Sequence, residues 1–206
     1  MAGDRHRGRR GSPPGPRARG DAARTRLLEA AGALLWWNGY DATSPAAVQR
    51  RAGVGQGSFY HHFPSKAALC GAALERASEE MKVDADAVFA GDSPPLERIL
   101  AYLSRPRNGI RGCRLGRLAF DAGLADARLG GVVADYFRHV EAHLEHALDS
   151  ARDAGNLAPG IDPHMVARAL LAVVQGGYTL ARARDDEGAV NDATAGALAL
   201  LEGVAR

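Results

Sequence analysis

Apolar residues recur at helical spacing through most of the chain. Between residues 21 and 38, Leu27, Leu28, Ala31, Leu34 and Leu35 fall on one face, and Asn38-Gly39 ends the run with a C-cap signal. Ser44 before Pro45 is an N-cap with proline at the first helical position, and Gly53 after Ala52 closes that short helix. A third short helix begins after Gly55 and runs to about His62, where Pro64 forces a break and Ser65 caps a long helix over 65–88. Beyond the Gly91-Asp92-Ser93-Pro94-Pro95 loop, helices are predicted up to Arg105 and over 113–124, 130–154, 163–184 and 191–204, separated by Gly, Asn, Asp and Pro. No alternating β-branched run with hairpin chemistry occurs, so the predicted fold class is all-α.

The later helices differ in the faces they leave apolar. The 163–184 segment is apolar almost all round, through Met165, Val166, Leu170, Leu171, Val173, Val174, Tyr178 and Leu180, which calls for cover on two sides. Ala169, Ala172 and Gly176 make a small-residue stripe that permits close helix approach, so this helix, with Leu198, Leu201 and Val204 of the last one, is a candidate for a core plus a dimer face. On 130–154, Val133, Phe137, Val140, Leu144 and Leu148 form the apolar stripe, while Asp135, His139, His143 and His146 line another face. His139 and His143 stand at the i,i+4 spacing that can share a metal, but such a row fits a solvated or inter-subunit face, and no metal or other cofactor is expected. Over 113–124, Cys113, Phe120 and Leu124 share a face with Arg117. A buried guanidinium needs a partner, and two are open to it: Asp121 four residues on, or a ligand carboxylate or phosphate. Cys113 also has two readings, inert helix packing or a thiol sensor whose thiolate a nearby arginine would favour.

Composition narrows the class. The chain has 206 residues, 46% apolar and 24% charged, as a globular protein should. Cys70 and Cys113 are its two cysteines, without the spacing of a disulfide framework or zinc site. No stretch approaches the ~20 apolar residues of a membrane helix, and the basic start lacks the apolar core of a signal peptide, so a cytoplasmic protein is expected. The formal net charge is only +2, yet it is unevenly spread. Residues 1–20 carry six Arg against one Asp with Pro13, Pro14 and Pro16, a composition expected to remain a disordered basic arm. Residues 21–66 carry five basic and three acidic side chains, and 67–206 carry 15 and 20. One end of the molecule therefore suits nucleic acid.

The stretch TSPAAVQRRAGVGQGSFYHHF, Thr43 to Phe63, is two short helices joined by a Gly-containing turn, the layout that places a second helix in a DNA major groove. Val48, Ala52, Val54 and Phe59 would hold the pair together. With Gly39-Tyr40, Thr43, Ala52-Gly53-Val54, Gly57, Phe59-Tyr60-His61-His62-Phe63 and Lys66 in order without gaps, residues 25–74 resemble the N-terminal domain of the TetR (tetracycline-repressor-like) family of transcriptional regulators.

The resemblance implies a homodimer with a three-helix DNA-binding domain over 21–66 and a helical effector-binding and dimerisation domain over 67–206. It implies a regulator, most simply a repressor on a palindromic operator, released by a small molecule. Thr43, Tyr60 and Lys66 match phosphate-contacting positions. Gln56 and Ser58 open the recognition helix as candidate base readers, Gly57 lets the backbone approach, and His61 joins the DNA-binding set. Gly55-Gln56 stands where the family usually has Ser-Lys, so a capping hydroxyl and one charge are missing. Gln49 takes a position where a small residue usually lies at the helix crossing. Trp36, opposite the apolar face of the first helix, is expected to pack against the first turns of the fourth helix or a neighbouring domain, or else to meet the basic arm or a partner protein. For the effector site the candidates are Tyr102, Cys113, Arg117, Phe120, Tyr136, Gln175 and Tyr178. Alternatives within the fold are an activator or a redox sensor working through Cys113. A helical carrier or enzyme is the alternative outside it, and the chain has no Ser-His-Asp set, paired-carboxylate motif or P-loop to support an enzyme.

Overall fold

The computed structural model describes residues Pro16–Gly203 and Ala205, and among these it contains eight α-helices and no strand. They are α1 (Pro16–Asn38), α2 (Pro45–Ala52), α3 (Gln56–His62), α4 (Lys66–Phe89), α5 (Pro95–Ser104), α6 (Ala127–Asp153), α7 (Pro163–Arg184) and α8 (Ala189–Glu202).

Local chemistry sets the boundaries. Ser44, Ser65, Asp126 and Asp162 each accept a backbone N–H of the following first turn, as N-caps do. Gly53 ends α2 in the left-handed conformation at φ 61°, which a Cβ would strain. Arg107 closes α5 by reaching back to the carbonyls of Tyr102 (2.7 Å) and Arg105 (2.9 Å). α3 has Gly55 at its N-cap position and no side-chain cap, as the missing hydroxyl there anticipates.

Two expectations need correcting. The basic arm was placed over 1–20, but α1 already begins at Pro16, so its last five residues are helical; residues 1–15 lie outside the described residues, as does Val204 of the proposed interface. The predicted helix over 113–124 is not an α-helix. It is a turn followed by two 3₁₀ pieces, Gly116–Phe120 and Ala122–Ala125. Glycine at 112, 116 and 123 weakens helical propensity, and Gly112 takes a φ of 78°. The segment is also wedged between other elements: a Cβ at Gly123 would lie 2.7 Å from the Tyr40 ring. Phe120, read as core-facing, is consequently 87% exposed.

α4 packs against α1 on one side and α6 on the other, and α5, α7 and α8 complete the body. The α4–α6 seam runs parallel, and its polar contacts keep one register: Arg128 with Glu75, Lys82 with Asp135 and His139 with Asp86 are each 53 residues apart. Leu69, Ile99, Leu103, Leu115, Val140, Leu144 and Leu148 are buried in a core shared by these helices. No described helix is long and apolar enough to cross a membrane.

Candidate nucleic-acid interface and effector cavity

The first site is built on α2 and α3. Phe59 and Val48 are buried between these helices and α1, which fixes α3 with its other side outward. That side presents Gln56, Gly57, Tyr60 and His61, all exposed, with Ser58 half-buried. An added Cβ at Gly57 would meet nothing within 4 Å, so the backbone there is open to approach. Tyr60 rests edge-on against Phe59 at 5.0 Å between centroids, which holds its phenol at the surface. Arg50 and Arg51 are exposed in the last turn of α2 and add charge to this unit; only their charge could have marked them in the sequence.

Two candidates are placed differently from expectation. Thr43 is buried, and its hydroxyl donates to the Gly39 carbonyl at 2.7 Å, so this side chain ties the α1–α2 turn instead of reaching for phosphate. Lys66 Nζ lies 4.2 Å from the Tyr40 ring centroid, and the same ammonium stands 3.4 Å from the Asp41 carbonyl. Its charge stays at this end of the molecule but is held by the turn.

The second site is a cavity of ≈540 Å³ between the 110–120 segment, α6 and α7. Cys113, Arg117, Phe120, Gln175 and Tyr178 line it, as the sequence suggested. Tyr102 and Tyr136 do not: they are buried in the core, Tyr102 between Phe89 (5.5 Å) and the Arg105 guanidinium (4.4 Å). Arg111, Phe137, Thr179 and Arg182 were missed. Gln175, Tyr178, Thr179 and Arg182 share one face of α7 by their spacing, which could have found two of them; Arg111 lies in a turn that has no periodicity to read.

The electrostatics of the cavity are one-sided. Arg111, Arg117 and Arg182 line it, and among the described residues no acidic one does. Arg117 is not paired with Asp121, whose carboxylate is turned away to accept the Tyr40 N–H at 3.0 Å. Among the described residues the Nε atoms of Arg117 and Arg111 are buried without a hydrogen-bond partner. Desolvation, with the neighbouring Arg117 charge, pulls Arg182 below its ordinary pKa. The Tyr178 phenol is pushed up to about 12, chiefly by burial. Burial likewise pushes the Cys113 thiol up, against the opposing effect of the Gly116 N–H that donates to its sulfur at 3.2 Å. A raised thiol pKa is the reverse of what a reactive sensor requires.

The two sites touch the same segment. Trp36, near the end of α1, donates its indole N–H to the Gly112 carbonyl at 2.8 Å, and the Arg111 guanidinium lies 3.6 Å from its ring centroid. Trp36 therefore packs on the body, and Trp37 beside it is half-exposed. Asp121 holds the Tyr40 N–H from the other end of the same segment. The residues that wall the cavity also grip the end of α1.

Known proteins match over both regions. Residues 27–73 match the sequence profile described as "Bacterial regulatory proteins, tetR family", and residues 95–197 match "Tetracyclin repressor-like, C-terminal domain". The HTH-type transcriptional regulator UidR of Escherichia coli is 25% identical over 157 residues, 74% of this chain and 78% of that protein. The HTH-type transcriptional repressor KstR of Rhodococcus jostii is 39% identical over 82 residues, 40% of this chain and 38% of its own. The crystal structure of a TetR-family transcriptional regulator from Agrobacterium tumefaciens superposes with a TM-score of 0.81 at 23% identity, covering 91% of this chain and 100% of that one.

Proposed function

We propose, because the chain belongs to the tetR family of bacterial regulatory proteins and is therefore a DNA-binding transcriptional regulator, that it is a cytoplasmic homodimeric repressor released from a palindromic operator by a small organic anion. The observation that carries the effector class is the cavity's unmatched charge. Three arginines, two of them (Arg111 and Arg117) with a buried and unpartnered Nε, face a mostly apolar chamber that no acid lines among the described residues. Leaving a buried donor such as the Arg117 Nε without an acceptor costs about 1–3 kcal/mol, and a ligand carboxylate would remove that cost. The apolar lining from Ile110, Phe120 and Phe137 suits an aryl or alkyl body behind the carboxylate.

The dimer reading is supported by one face of α7. Met165 (68% exposed) and Leu180 (42%) flank exposed Ala169, Ala172 and Gly176, and Leu200 of α8 is 78% exposed. A second copy laid along these helices would cover the apolar stripe and set the spacing of two recognition helices for half-sites one DNA turn apart. On DNA, Gln56 and Ser58 are the base-reading residues, and Tyr60, Arg50 and Arg51 meet phosphates, with Lys66 adding positive charge from the turn that holds it. A ligand that pulls Arg117 and Arg111 inward would shift the segment that holds Trp36 and Tyr40, and so bias the position of α1. The effect is bounded by the ligand's preference for the released arrangement.

Gel retardation of the DNA upstream of the protein's own gene tests the reading. Specific retardation should weaken with salt, with a log–log slope near −0.9 for each phosphate contact, and fall further on adding aryl or alkyl carboxylates but not their neutral amides. Retardation insensitive to every carboxylate would contradict the effector class, while no specific retardation at all would contradict the operator reading.

A further inference from the structure

Away from the cavity, three donor atoms converge on the α4–α6 seam. Asp86 lies in the last turn of α4, and His139 and His143 stand one turn apart on α6. Nε2 of His139 lies 2.6 Å and Nε2 of His143 2.7 Å from the same oxygen, Asp86 Oδ1. The three potential ligand atoms all lie within 4.8 Å of one another. None of the three residues lines the effector cavity.

From this geometry we propose that Asp86, His139 and His143 bind a divalent first-row transition-metal ion, with zinc the best fit. Two imidazoles and one carboxylate are borderline-hard ligands that suit zinc, cobalt and nickel better than magnesium or calcium. Tetrahedral zinc at ~2.0–2.1 Å from each ligand places the ligand atoms about 3.3 Å apart. Asp86 Oδ1 therefore has to withdraw by under 1 Å from each imidazole nitrogen, a displacement within reach of a side-chain rotation. The His143 ring is already oriented: it stacks on Phe89 with centroids 5.0 Å apart and planes 5° from parallel, and Phe89 is buried against Tyr102. The ligand side chains are about one-third to one-half exposed, which leaves a path for the ion and a fourth position for water. Lys82, the cation one turn earlier on α4, is engaged by Asp135 and Glu79. An ion here would pin the far end of α4, whose first turn stands beside the DNA-binding unit, to the wall helix α6. In the notation of coordination chemistry the site is His₂Asp with an open position, built from the i,i+4 pair of one helix and a single carboxylate of another.

The test uses the untagged full-length protein, stripped of metal by a chelator and titrated with zinc by calorimetry and with cobalt by visible absorption. The expected result is saturation at one ion per chain, an intense cobalt band of low coordination number, and a zinc-dependent rise in melting temperature. Asp86→Asn, which keeps the side-chain shape, and His143→Ala should each lower zinc affinity by more than the tenfold that a lost outer-shell partner costs, and remove the melting shift. His146→Ala, exposed on the same helix, should bind as the unaltered protein does. Absence of stoichiometric uptake, or wild-type affinity in Asp86→Asn and His143→Ala, would overturn the site. So would loss of binding in His164→Ala alone, since that histidine pairs with Glu145 at 3.1 Å across α6 and α7.

Discussion

The DNA-binding unit and the effector cavity are completed in different ways. In the first, polar groups find partners within the chain: the buried Thr43 hydroxyl has the Gly39 carbonyl, Arg26 donates to the Ala52 carbonyl at 3.2 Å, and Arg24 and Lys66 lie over the rings of Phe63 and Tyr40. In the second, Arg117 has a buried Nε with no acceptor, and Arg182 stands near it with the same sign of charge. A region matched internally holds its shape alone and offers a surface. A region left with unmatched charge is completed by something brought to it, and that is where regulation can act.

The largest effect should come from breaking the internally matched unit at its centre. Phe59→Ala empties a fully buried position, costs about 3–5 kcal/mol, and should abolish specific retardation together with a large fall in melting temperature. Tyr60→Ala, one residue on and 49% exposed, should leave stability within about 0.5 kcal/mol while weakening DNA binding. If both variants lost DNA binding only in proportion to stability, α3 would be structural and not a reading surface.

Next in size is the join between the two regions. Gly123→Ala puts a Cβ 2.7 Å from Cγ of Tyr40, so the 3₁₀ segment must move off α1. Overpacking of this kind costs about 1–3 kcal/mol, and tryptophan fluorescence should change with it, because the two tryptophans, Trp36 and Trp37, lie at that join. Unchanged emission with a lowered melting temperature would separate the join from the Trp36 contact.

The contrast in legibility follows the same division. Helices α1 to α4 could be read from Asn38-Gly39, Ser44-Pro45, Gly53 and Ser65, because capping residues and proline act within one turn of themselves. The 113–124 segment could not, since its shape is decided by Tyr40, Gln175 and Asp121 contacts made across 50 residues or more of chain. Periodicity suggested an Arg117–Asp121 pair that needs a helical turn between them, and the chain forms none there. Gln175 and Tyr178 were nonetheless found, because α7 is regular and its wheel holds. Asp86 completes a metal-ligand set that the row on α6 alone did not suggest, since its partner helix is not visible in the spacing.

A smaller effect concerns the cysteines. Burial pushes the Cys70 thiol up to about 11 from an ordinary 9.0, and Cys113 also rises. Because the neutral thiol is favoured, the thiolate fraction of Cys70 at pH 8 falls about 100-fold. Iodoacetamide should therefore label the native protein far more slowly than the unfolded chain, with the rate rising only as pH passes well above 9. Rapid native labelling of Cys113 near neutrality would restore the thiol-sensor alternative.

The most direct test of the coupling between a self-sufficient DNA-binding unit and an anion-completed cavity is operator retardation under increasing aryl or alkyl carboxylate, comparing the unaltered protein with Arg117→Met. Methionine keeps the apolar length of the side chain and removes the unpartnered charge, so the ligand-free variant should be at least as stable and bind the same DNA with unchanged affinity. The account predicts that carboxylate releases the unaltered protein and leaves Arg117→Met bound at tenfold higher ligand, about 1.4 kcal/mol of lost differential binding. Release of both proteins at the same carboxylate concentration would contradict it.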